Sequence, residues 1–543
     1  MILHVEITEK SFGPKSLFSH LDFSVNDGEK IGIIGRNGVG KTTLFNILSG
    51  LDTDYSGEII PRRGAIIVAT SQEYYDVENQ TVIEYITSGL PDFAELERII
   101  NTFATLEKPS SRQISEYSAA VDRFSSKGYY YIEDQIRQTL AKFQLDHLLD
   151  RSFSTLSGGE KRLSEIVKIM LSDSHLALID EPTNYMDYIA KAKFIEWMNT
   201  APEAILVITH DRDVLDQVDR IIEIKDGEAY SYPGNYTAYL TQNSTRTVTN
   251  MNEYEIVQRR IDNLKKQIAY ARSKKSMWSG TADKRNPFVV IEERCLRELK
   301  KLQEIEKPSF WIDKTSAAEL DYKDSARYEK YKAKNIRLSL SSNPSRSKRS
   351  LIRASQLSIG YEVPIAADIS FDIHEGESLE IRGRNGAGKT TLVKAILNLP
   401  GPQIFSGEAK VDPHAHISIY EQEVSDKLFG LTLPEAIEQV YHDCGLSCTN
   451  QQVRAIMNNY LFTEADRSVR VRDLSGGQKA RLQIIAMLAT EPDLLVLDEP
   501  TSHLDLPSIE ELETALLNYK GAIIYISHDN YFRDKLGGQV VQL

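Results

Sequence analysis

The chain of 543 residues has few cysteines and lacks long apolar runs and a secretion signal. Three cysteines cannot build a disulfide framework or two zinc sites, and Cys444 and Cys448 are expected to be buried structural thiols. The densest apolar stretches, such as residues 204–208, are strand-sized, whereas a membrane-spanning helix needs about 18 apolar residues. The first residues carry neither a basic segment nor a cleavable apolar segment. We therefore expect a cytoplasmic protein without a membrane span.

Positive charge is scarce except in one segment. The chain has a net charge of −14, yet residues 241–350 carry 25 Lys and Arg against 14 Asp and Glu, a net charge of +11. The remaining 433 residues therefore carry −25. This asymmetry argues against a general nucleic-acid-binding protein and indicates an acidic protein that presents one basic surface. A solvated helical linker would carry similar charges, so the charge pattern leaves both interpretations open.

An internal repeat divides the chain into two similar copies. Residues 35–42 (GRNGVGKT) recur as residues 383–390 (GRNGAGKT). Three later motifs, LSGG, DEPT and a His-Asp pair, recur at a constant offset of 318 residues. The first copy is longer by about thirty residues, all of them between its first and second motifs.

In each copy, short apolar strands alternate with helices. Runs such as Leu176–Ile179 and Leu494–Leu497 are apolar throughout, which is typical of parallel strands buried on both faces. The pattern predicts an α/β fold with a mostly parallel sheet, built twice. We predict a first domain at residues 1–240, a basic helical linker at 241–350 and a second domain at 351–543.

The repeated glycine-rich segment, Gly-x4-Gly-Lys-Thr between a strand and a helix, is the pattern of a phosphate-binding loop. Its glycines let backbone N–H groups surround phosphates, its lysine reaches the β- and γ-phosphates, and its threonine hydroxyl binds Mg²⁺. A purely structural turn is the alternative, but two matches in the same context argue against it. The predicted ATP-binding residues are Gly35, Arg36, Asn37, Gly38, Val39, Gly40, Lys41, Thr42 and Thr43, and Gly383, Arg384, Asn385, Gly386, Ala387, Gly388, Lys389, Thr390 and Thr391.

An acidic pair follows an apolar strand in both copies. Asp180 and Asp498 end these strands and are suited to hold Mg²⁺ together with the threonines of the loops. Glu181 and Glu499 come next, where a carboxylate can polarise the water that attacks the γ-phosphate. ATP and Mg²⁺ are therefore the expected cofactors.

A histidine ends a later apolar strand in each copy, at His210 and His528. Taken alone, each histidine would more often be structural. Its recurrence about thirty residues after the acidic pair favours a hydrogen bond to the γ-phosphate and a place among the catalytic residues.

The order of motifs (phosphate-binding loop, glutamine, Leu-Ser-Gly-Gly, Asp-Glu, histidine) resembles the ATP-binding cassette superfamily. The resemblance implies that the two copies pair head to tail and enclose two ATP molecules. One site would combine Lys41 and Glu181 with residues 475–478, and the other would combine Lys389 and Glu499 with residues 157–160. The further residues that it implies are Phe12, Gln72, Ser157, Gly158, Gly159, Glu160 and Asp187, and Tyr361, Gln422, Ser475, Gly476, Gly477, Gln478 and Asp505.

The resemblance also implies individual roles. Phe12 and Tyr361 match the aromatic position that stacks on adenine, and Gln72 and Gln422 match the glutamine that binds both the metal and the attacking water. One departure is the segment after the acidic pair, which reads SHLD in the second copy, close to the usual pattern, and NYMD in the first. This difference leaves open whether the two ATP sites turn over equally.

Residues 241–350 have the pattern of an antiparallel helical hairpin. Apolar residues recur at helical spacing from Val257 to Ile268 and again from Ile291 to Leu302, with the breaker-rich segment 279–287 between them. A polar tract after Pro308 predicts a connector. The predicted tip carries Lys274, Lys275, Trp278, Lys284 and Arg285.

Two cassettes on one chain with a basic hairpin between them resemble the ABC-F family of ribosome-associated translation factors. The resemblance implies a functional monomer whose cassettes pair within the chain. It also implies a linker that reaches from the ribosomal E site toward the P-site tRNA and ribosomal RNA, with the hairpin tip in contact with RNA. The long linker is most similar to the branch that protects ribosomes from antibiotics.

Two alternatives stay open at this point. An insertion at about residues 88–125 matches the arm of the ABC-F family, although the spacing of Phe93, Leu96, Ile100 and Phe103 is equally typical of a plain packed helix. The ATPase subunit of an ABC transporter would carry the same cassettes, but it would not need a basic hairpin between them.

Overall fold

The computed structural model describes residues 1–13, 15–70, 80–106, 108–275, 277, 286–303, 305, 307–338, 349–420, 424–490 and 492–543. The side chains of residues 12, 15 and 185 are outside this description. The chain forms two compact units. One consists of Met1–Tyr236 and Arg337–Leu543 and holds both copies of the repeat, and the other is Thr237–Ile336.

The first copy contains two sheets. Its strands are β1 (Leu3–Phe12), β2 (Lys15–Phe18), β3 (Leu21–Val25), β4 (Lys30–Ile34), β5 (Ser56–Pro61), β6 (Ile67–Ala69), β7 (Leu176–Asp180), β8 (Ala204–Ile208), β9 (Arg220–Lys225) and β10 (Glu228–Pro233). Its helices are α1 (Lys41–Leu48), α2 (Val82–Thr87), α3 (Phe93–Ala104), α4 (Ser111–Ser126), α5 (Ile132–Lys142), α6 (Gly158–Met170), α7 (Tyr188–Thr200) and α8 (Arg212–Leu215). One sheet has the order β10-β9-β4-β8-β7-β6 and is parallel except at β10, while β1, β2, β3 and β5 form an antiparallel sheet.

The unit Thr237–Ile336 is helical. Its helices are α9 (Tyr236–Lys275), α10 (Pro287–Gln303), α11 (Lys314–Ala318) and α12 (Tyr322–Tyr331). Helices α9 and α10 run antiparallel, since Arg260 pairs with Glu298 while Arg272, farther along α9, pairs with Glu292. The predicted apolar seam is buried between them as one cluster of Ile261, Leu264, Ile268, Cys295 and Leu299. The predicted hairpin is therefore confirmed.

The prediction of a plain connector after Pro308 is wrong for part of that segment. Tyr328 and Tyr331 of α12 are buried with Met251 of α9 and with Phe310 and Ile312 in a second apolar cluster. The hydroxyl of Tyr328 also accepts a hydrogen bond of 2.9 Å from the backbone N–H of Ile312. The polar composition of this segment hides these contacts in part because two of the four buried residues that it contributes to this cluster are tyrosines, each with a polar tip.

The second copy repeats the arrangement of the first. Its strands are β11 (Ser350–Gly360), β12 (Pro364–His374), β13 (Ser378–Arg382), β14 (Gln403–Val411), β15 (Ile417–Tyr420), β16 (Leu494–Asp498), β17 (Ala522–Ile526) and β18 (Gln539–Gln542). Its helices are α13 (Lys389–Ile396), α14 (Leu433–Asp443), α15 (Asn450–Asn459), α16 (Gly476–Leu488), α17 (Leu506–Leu517) and α18 (Asn530–Leu536). A parallel sheet of order β15-β16-β17-β13-β18 lies beside an antiparallel sheet of order β12-β11-β14. The predicted α/β fold, built twice, is confirmed.

The parallel sheets form the core because their strands are apolar along almost their whole length. Every residue of β4, β7 and β8 is buried, as parallel strands covered on both faces require. The carboxyl ends of these strands share one edge of the sheet. The glycine-rich loop follows β4, the acidic pair ends β7 and the histidine follows β8, so this edge brings the motifs together.

The insertion of the first copy contains two helices, α3 and α4, which pack against each other. Phe103 stacks on Tyr117 with ring centroids 4.1 Å apart, and Phe93 lies 5.6 Å from Phe124. The apolar spacing along α3 therefore reflects packing against α4, and Leu96 is buried. A ribosome-contacting role for this segment stays a prediction.

Two further sequence-based expectations concern cysteines and membrane spans. The expectation that Cys444 and Cys448 are buried is wrong, because Cys444 is exposed and Cys448 is partly exposed, while Cys295 is buried. Within the described ranges, every helix is too short or too polar to cross a bilayer.

Candidate nucleotide-binding sites

The two glycine-rich loops curl around their lysines in the same way. The ammonium of Lys41 donates hydrogen bonds to the carbonyl oxygens of Gly35 (2.8 Å) and Arg36 (3.3 Å). The ammonium of Lys389 donates to the carbonyl oxygens of the matching residues, at 2.9 and 3.1 Å. Burial lowers the pKa of both lysines, while the nearby carboxylates act in the opposite direction. Each loop thus folds back on its lysine, and this cation lies beside backbone N–H groups that are suited to bind phosphates.

Helix α1 can begin directly after its loop because Gly40 precedes it. Gly40 has a φ of +101°, and a Cβ atom there would lie 2.6 Å from the side chain of Leu17. Only glycine fits this combination of positive φ and close approach. Gly388 has the same backbone conformation in the second copy, with a φ of +96°.

A threonine hydroxyl and an aspartate carboxylate lie side by side in each copy. Thr42 donates a hydrogen bond of 3.0 Å to Asp180, and Thr390 donates one of 2.8 Å to Asp498. The hydroxyl of Thr70 also accepts a bond of 3.0 Å from the backbone N–H of Asp180. Hydroxyl and carboxylate oxygens are ligands that Mg²⁺ prefers, so this donor set fits the predicted metal. Thr70 went unnoticed in the sequence because it stands outside every motif.

The glutamate and the histidine of each copy are also neighbours. The carboxylate of Glu181 lies 3.5 Å from the Nε2 atom of His210, and that of Glu499 lies 3.3 Å from the Nε2 atom of His528. Burial, with the adjacent aspartate second, raises the pKa of each glutamate to about 8. Burial also lowers the pKa of each histidine to about 3. A glutamate with a raised pKa is a stronger base than an exposed glutamate once it has lost its proton, and here it lies beside a histidine that is uncharged.

Both glutamates have a strained backbone. Glu181 has a φ of +45° and Glu499 has a φ of +50°, a region that non-glycine residues rarely occupy. Such strain is often kept where it aims a side chain at a functional position. The sequence carried no signal for it.

The Leu-Ser-Gly-Gly segments form the start of α6 and α16. Ser157 accepts a hydrogen bond of 3.3 Å from the backbone N–H of Glu160, and Ser475 accepts one of 3.3 Å from that of Gln478. Each serine therefore caps its helix, and the N-terminal N–H groups of the helix are available for an anion.

The glycine-rich loop of each copy contacts the other copy, at the segment that follows the acidic pair or at the Leu-Ser-Gly-Gly segment. The backbone N–H of Asn37 donates a hydrogen bond of 3.2 Å to Asp505, and its side-chain amide donates one of 2.9 Å to the carbonyl oxygen of His503. A Cβ atom at Gly477 would lie 2.2 Å from the amide nitrogen of Asn37. In the opposite direction, the backbone N–H of Asn385 donates a bond of 3.1 Å to Asp187.

A cavity of about 500 Å³ lies between the copies. The second copy contributes its glycine-rich loop together with Asp498, Glu499 and His528, and the first contributes the start of α6 and Asn184. The lining residues are Ser157, Gly159, Asn184, Tyr361, Ile365, Arg384, Asn385, Gly386, Gly388, Lys389, Thr390, Thr391, Asp498, Glu499 and His528.

Some predicted site residues are outside the part of the chain that the structure describes. Gln72, Gln422, Trp278, Lys284 and Arg285 lie outside the described residues, as does the side chain of Phe12. Lys274 and Lys275 are the last residues of α9. Those two lysines are not part of the sites above.

Comparisons with known proteins give the family of this chain. A family model described as ABC transporter matches residues 18–184 and 366–502, and a second model with the same description matches residues 222–320. The chain is 28% identical to the energy-dependent translational throttle protein EttA of Mycobacterium tuberculosis, over 97% of this chain and 88% of that protein. It is 28% identical to ABC transporter F family member 5 of Arabidopsis thaliana, over 99% of this chain and 74% of that protein. The chain belongs to the ABC-F family.

Another relative of this ABC-F protein is the ribosome protection protein VmlR of Bacillus subtilis, which is 27% identical over 98% of this chain and 85% of that protein. Because cassettes of this family bind and hydrolyse ATP, the ABC-F protein is an ATPase. The structure of RNase-L Inhibitor matches it with a TM-score of 0.55 at 18% identity, over 96% of this chain and 85% of that chain. At 18% identity this match shows a similarity of fold only, namely two cassettes in one chain.

The raised pKa values of the two glutamates predict how the stability of this ABC-F protein depends on pH. Above pH ~6.5, where histidines of an unfolded chain are neutral, the folded protein still holds protons on Glu181 and Glu499 that the unfolded chain has lost. The free energy of unfolding should therefore fall as the pH rises toward about 8. We expect the thermal midpoint of the nucleotide-free protein to drop across this range, and to drop less when both glutamates are replaced with glutamine. Equal slopes for the two proteins would contradict the raised pKa values.

Proposed function

We propose that this ABC-F protein hydrolyses ATP in two composite sites, each built from the glycine-rich loop of one cassette and the Leu-Ser-Gly-Gly segment of the other. The observation that carries this proposal is the cavity of about 500 Å³, which Lys389 and Thr390 line from the second cassette and Ser157 and Gly159 line from the first. A cavity of this size suits a nucleotide. The close contact between Asn37 and Gly477 supports the same arrangement at the other site.

In the second site, each side chain has a distinct proposed role in binding or hydrolysing ATP. Lys389 and the backbone N–H groups of its loop bind the β- and γ-phosphates, and Tyr361 packs against adenine. Thr390 and Asp498 hold Mg²⁺, which neutralises phosphate charge when it is bound. Glu499 accepts a proton from the attacking water.

The remaining proposed roles repeat between the cassettes. His528 donates a hydrogen bond to the γ-phosphate, and Gln422 contacts the metal and the water. At the first site the corresponding residues are Lys41, Thr42, Gln72, Asp180, Glu181 and His210, with Phe12 against adenine.

We further propose that the protein binds the ribosome and acts on translation in the cytoplasm. The printed names of two relatives, a translational throttle protein and a ribosome protection protein, support this role. The net charge of +11 on residues 241–350 supports a contact with RNA, because the cassettes that flank this segment are acidic. In this proposal the hairpin enters at the E site and its tip contacts ribosomal RNA and the P-site tRNA, and loss of a bound antibiotic is one consequence of that contact.

The ATPase subunit of an ABC transporter is the competing function. It predicts that the protein fractionates with membranes, whereas the ribosomal function predicts co-sedimentation with ribosomes in the presence of ATP. Fractionation of a cell extract with and without ATP separates the two outcomes. Recovery of the protein with membranes and not with ribosomes would reject the ribosomal proposal and leave the ATPase activity untouched.

Reversing the charge of the hairpin tip is the sharper test. The variant carries Glu in place of Lys274, Lys275, Lys284 and Arg285. Loss of up to four phosphate contacts should weaken ribosome binding at least about tenfold and flatten its dependence on salt. ATPase activity without ribosomes should change little, since the tip is not part of either proposed ATP site.

The matched control reverses four exposed lysines of the same hairpin away from its tip, at Lys265, Lys266, Lys300 and Lys301. Both variants change the net charge equally, so general electrostatics predicts equal losses. We expect the tip variant to lose the larger part of ribosome affinity, measured by pelleting at several salt concentrations. Equal affinities in the two variants would show that the tip is only a spacer.

A further inference from the structure

A buried lysine outside the nucleotide motifs joins the two cassettes. The ammonium of Lys191, on α7, donates hydrogen bonds to Asp211 (3.0 Å) and Asp213 (2.5 Å) of its own cassette. It donates another of 2.8 Å to the backbone carbonyl oxygen of His528, in the second cassette. The side chain of Lys191 is only 4% exposed. An ammonium group has three N–H donors, and these three acceptors satisfy all of them.

The repeat provides an internal comparison for this contact. At the offset of 318 residues, Lys191 corresponds to Ile509, at the matching position of α17. Ile509 is buried and lines a small cavity between the cassettes together with His210 and His528. An isoleucine side chain cannot donate a hydrogen bond. Lys191 of the first cassette donates a hydrogen bond to the second cassette, whereas Ile509 of the second cassette cannot donate the equivalent bond to the first.

Other polar contacts tie the same two segments together. Arg212, directly after Asp211, pairs with Glu513 and lies 3.0 Å from Asp529, the residue after His528. The side-chain amide of Asn530 donates a hydrogen bond of 2.7 Å to Asp213. The first cassette contributes Lys191 and Arg212 to this network, and the second contributes Lys535, which pairs with Glu513 at 2.6 Å. Asp529 and Asn530, which the first cassette contacts, directly follow His528.

We propose that Lys191 is a positioning residue for the ATP site of the second cassette: it holds the backbone of His528 so that the imidazole stays beside Glu499. This inference rests on the proposed ATP hydrolysis and deepens it, because it makes the two sites unequal. The second site is completed by a side chain of the first cassette, whereas Ile509 gives the first site no such bond.

The positive charge of Lys191 also affects the pKa of His528. Burial is the main cause that lowers the pKa of His528 to about 3; the positive charge of Lys389 adds to it, the carboxylate of Asp187 opposes it, and Lys191 makes a smaller contribution in the lowering direction. The imidazole is thereby kept uncharged beside Glu499. The main contribution of Lys191 to this pair is therefore its hydrogen bond to the backbone of His528.

The test measures the first turnover of each site separately. A chain with Glu181→Gln releases its first phosphate through the Glu499 site, and a chain with Glu499→Gln releases it through the Glu181 site. Into each chain we place Lys191→Met together with Asp211→Asn and Asp213→Asn, so that no carboxylate is left buried without its cation. Asparagine caps α8 as well as aspartate does, which preserves the start of that helix.

We expect the burst of phosphate release to slow about tenfold at the Glu499 site and less than about twofold at the Glu181 site, because a displaced catalytic group slows the step that it assists. ATP affinity should change by less than about twofold at either site, since the hydrogen bonds of Lys191 go to Asp211, Asp213 and His528, outside the phosphate-binding loops. Lys191→Arg, which keeps a donor for the carbonyl oxygen of His528, should retain most of the rate. Ile509→Met is the matched control and should not slow the Glu499 site selectively.

The outcomes separate the possible failures. Equal slowing at both sites, or no slowing at either, overturns the positioning role of Lys191. Absence of a phosphate burst from both parent chains contradicts the proposed ATP hydrolysis instead. If the triple variant does not fold by circular dichroism, Lys191→Gln, which is too short to span the same acceptors, takes its place and the same two rates decide the result.

Discussion

Replacing both Glu181 and Glu499 with glutamine should leave ATP bound and lower steady-state hydrolysis by about 10²- to 10⁴-fold. Glutamine has the size of glutamate but cannot accept the proton of the attacking water. The contacts of Lys41, Thr42, Lys389 and Thr390 do not involve these glutamates, so the phosphate and metal ligands should stay in place. We expect the variant to keep its cassettes paired around ATP and to remain on its ribosomal partner. Phosphate release, and nucleotide retained after gel filtration, measure the two effects.

The control removes ATP binding instead of hydrolysis. Replacing Lys41 and Lys389 with alanine takes away the cation at the centre of each loop, and this variant should lose both bound nucleotide and activity. The two double variants are therefore distinguished by retained ATP. A glutamine variant that hydrolyses ATP at the parental rate would refute the role of both glutamates.

Replacing Gly477 with valine should weaken nucleotide binding at the Lys41 site, in the other cassette. A Cβ atom at Gly477 would lie 2.2 Å from the side-chain amide of Asn37 and 3.2 Å from the carbonyl oxygen of His503. Overpacking of this kind costs about 1–3 kcal/mol, so we expect a loss of affinity of at least about fivefold. Crosslinking with a photoreactive ATP analogue, followed by peptide mapping, shows which loop still carries label.

The reciprocal and neutral controls come from the same chain. Gly159→Val changes the matching position of the first cassette and should reduce labelling at Lys389, because Gly159 lines the cavity beside that lysine. Gly430→Val places its side chain in open space and should leave both sites labelled. Loss of label at Lys389 in the Gly477 variant, with Lys41 still labelled, would reject the head-to-tail pairing of the cassettes.

The sequence predicted the parts of each site that depend on short-range geometry. Lys41 contacts the carbonyl oxygens of Gly35 and Arg36, which are six and five residues away, so the motif itself contains the contact. The approach of Thr42 to Asp180 spans 138 residues, yet it too could be expected. Asp180 ends one parallel strand and the loop before Thr42 follows another, and the carboxyl ends of these strands share one edge of the sheet. A repeated motif order and continuous apolar strands are sufficient for predictions of this kind.

The sequence was less informative where tyrosines make the apolar contacts. Residues 322–331 carry several charges and were expected to be a connector, but α12 packs Tyr328 and Tyr331 against α9. The average polarity of a segment does not show which of its side chains are buried. Burial depends on the one or two side chains that face a neighbouring helix. The expectation that Cys444 and Cys448 are buried was wrong for the same reason, since exposure is set by the position of a residue on its fold and not by its type.

By itself, then, the sequence determined two α/β cassettes, a basic helical hairpin between them, and the chemical groups that each cassette brings to the edge of its sheet. Only the tertiary structure decided which residues of one copy meet which residues of the other. Asn37 and His503 are 466 positions apart, and Lys191 and His528 are 337 positions apart. No local pattern encodes such pairs, because their contact depends on how two complete domains pack. For that reason Lys191 and its isoleucine counterpart look unremarkable in the sequence, and the difference between them acquires meaning only where the two cassettes touch.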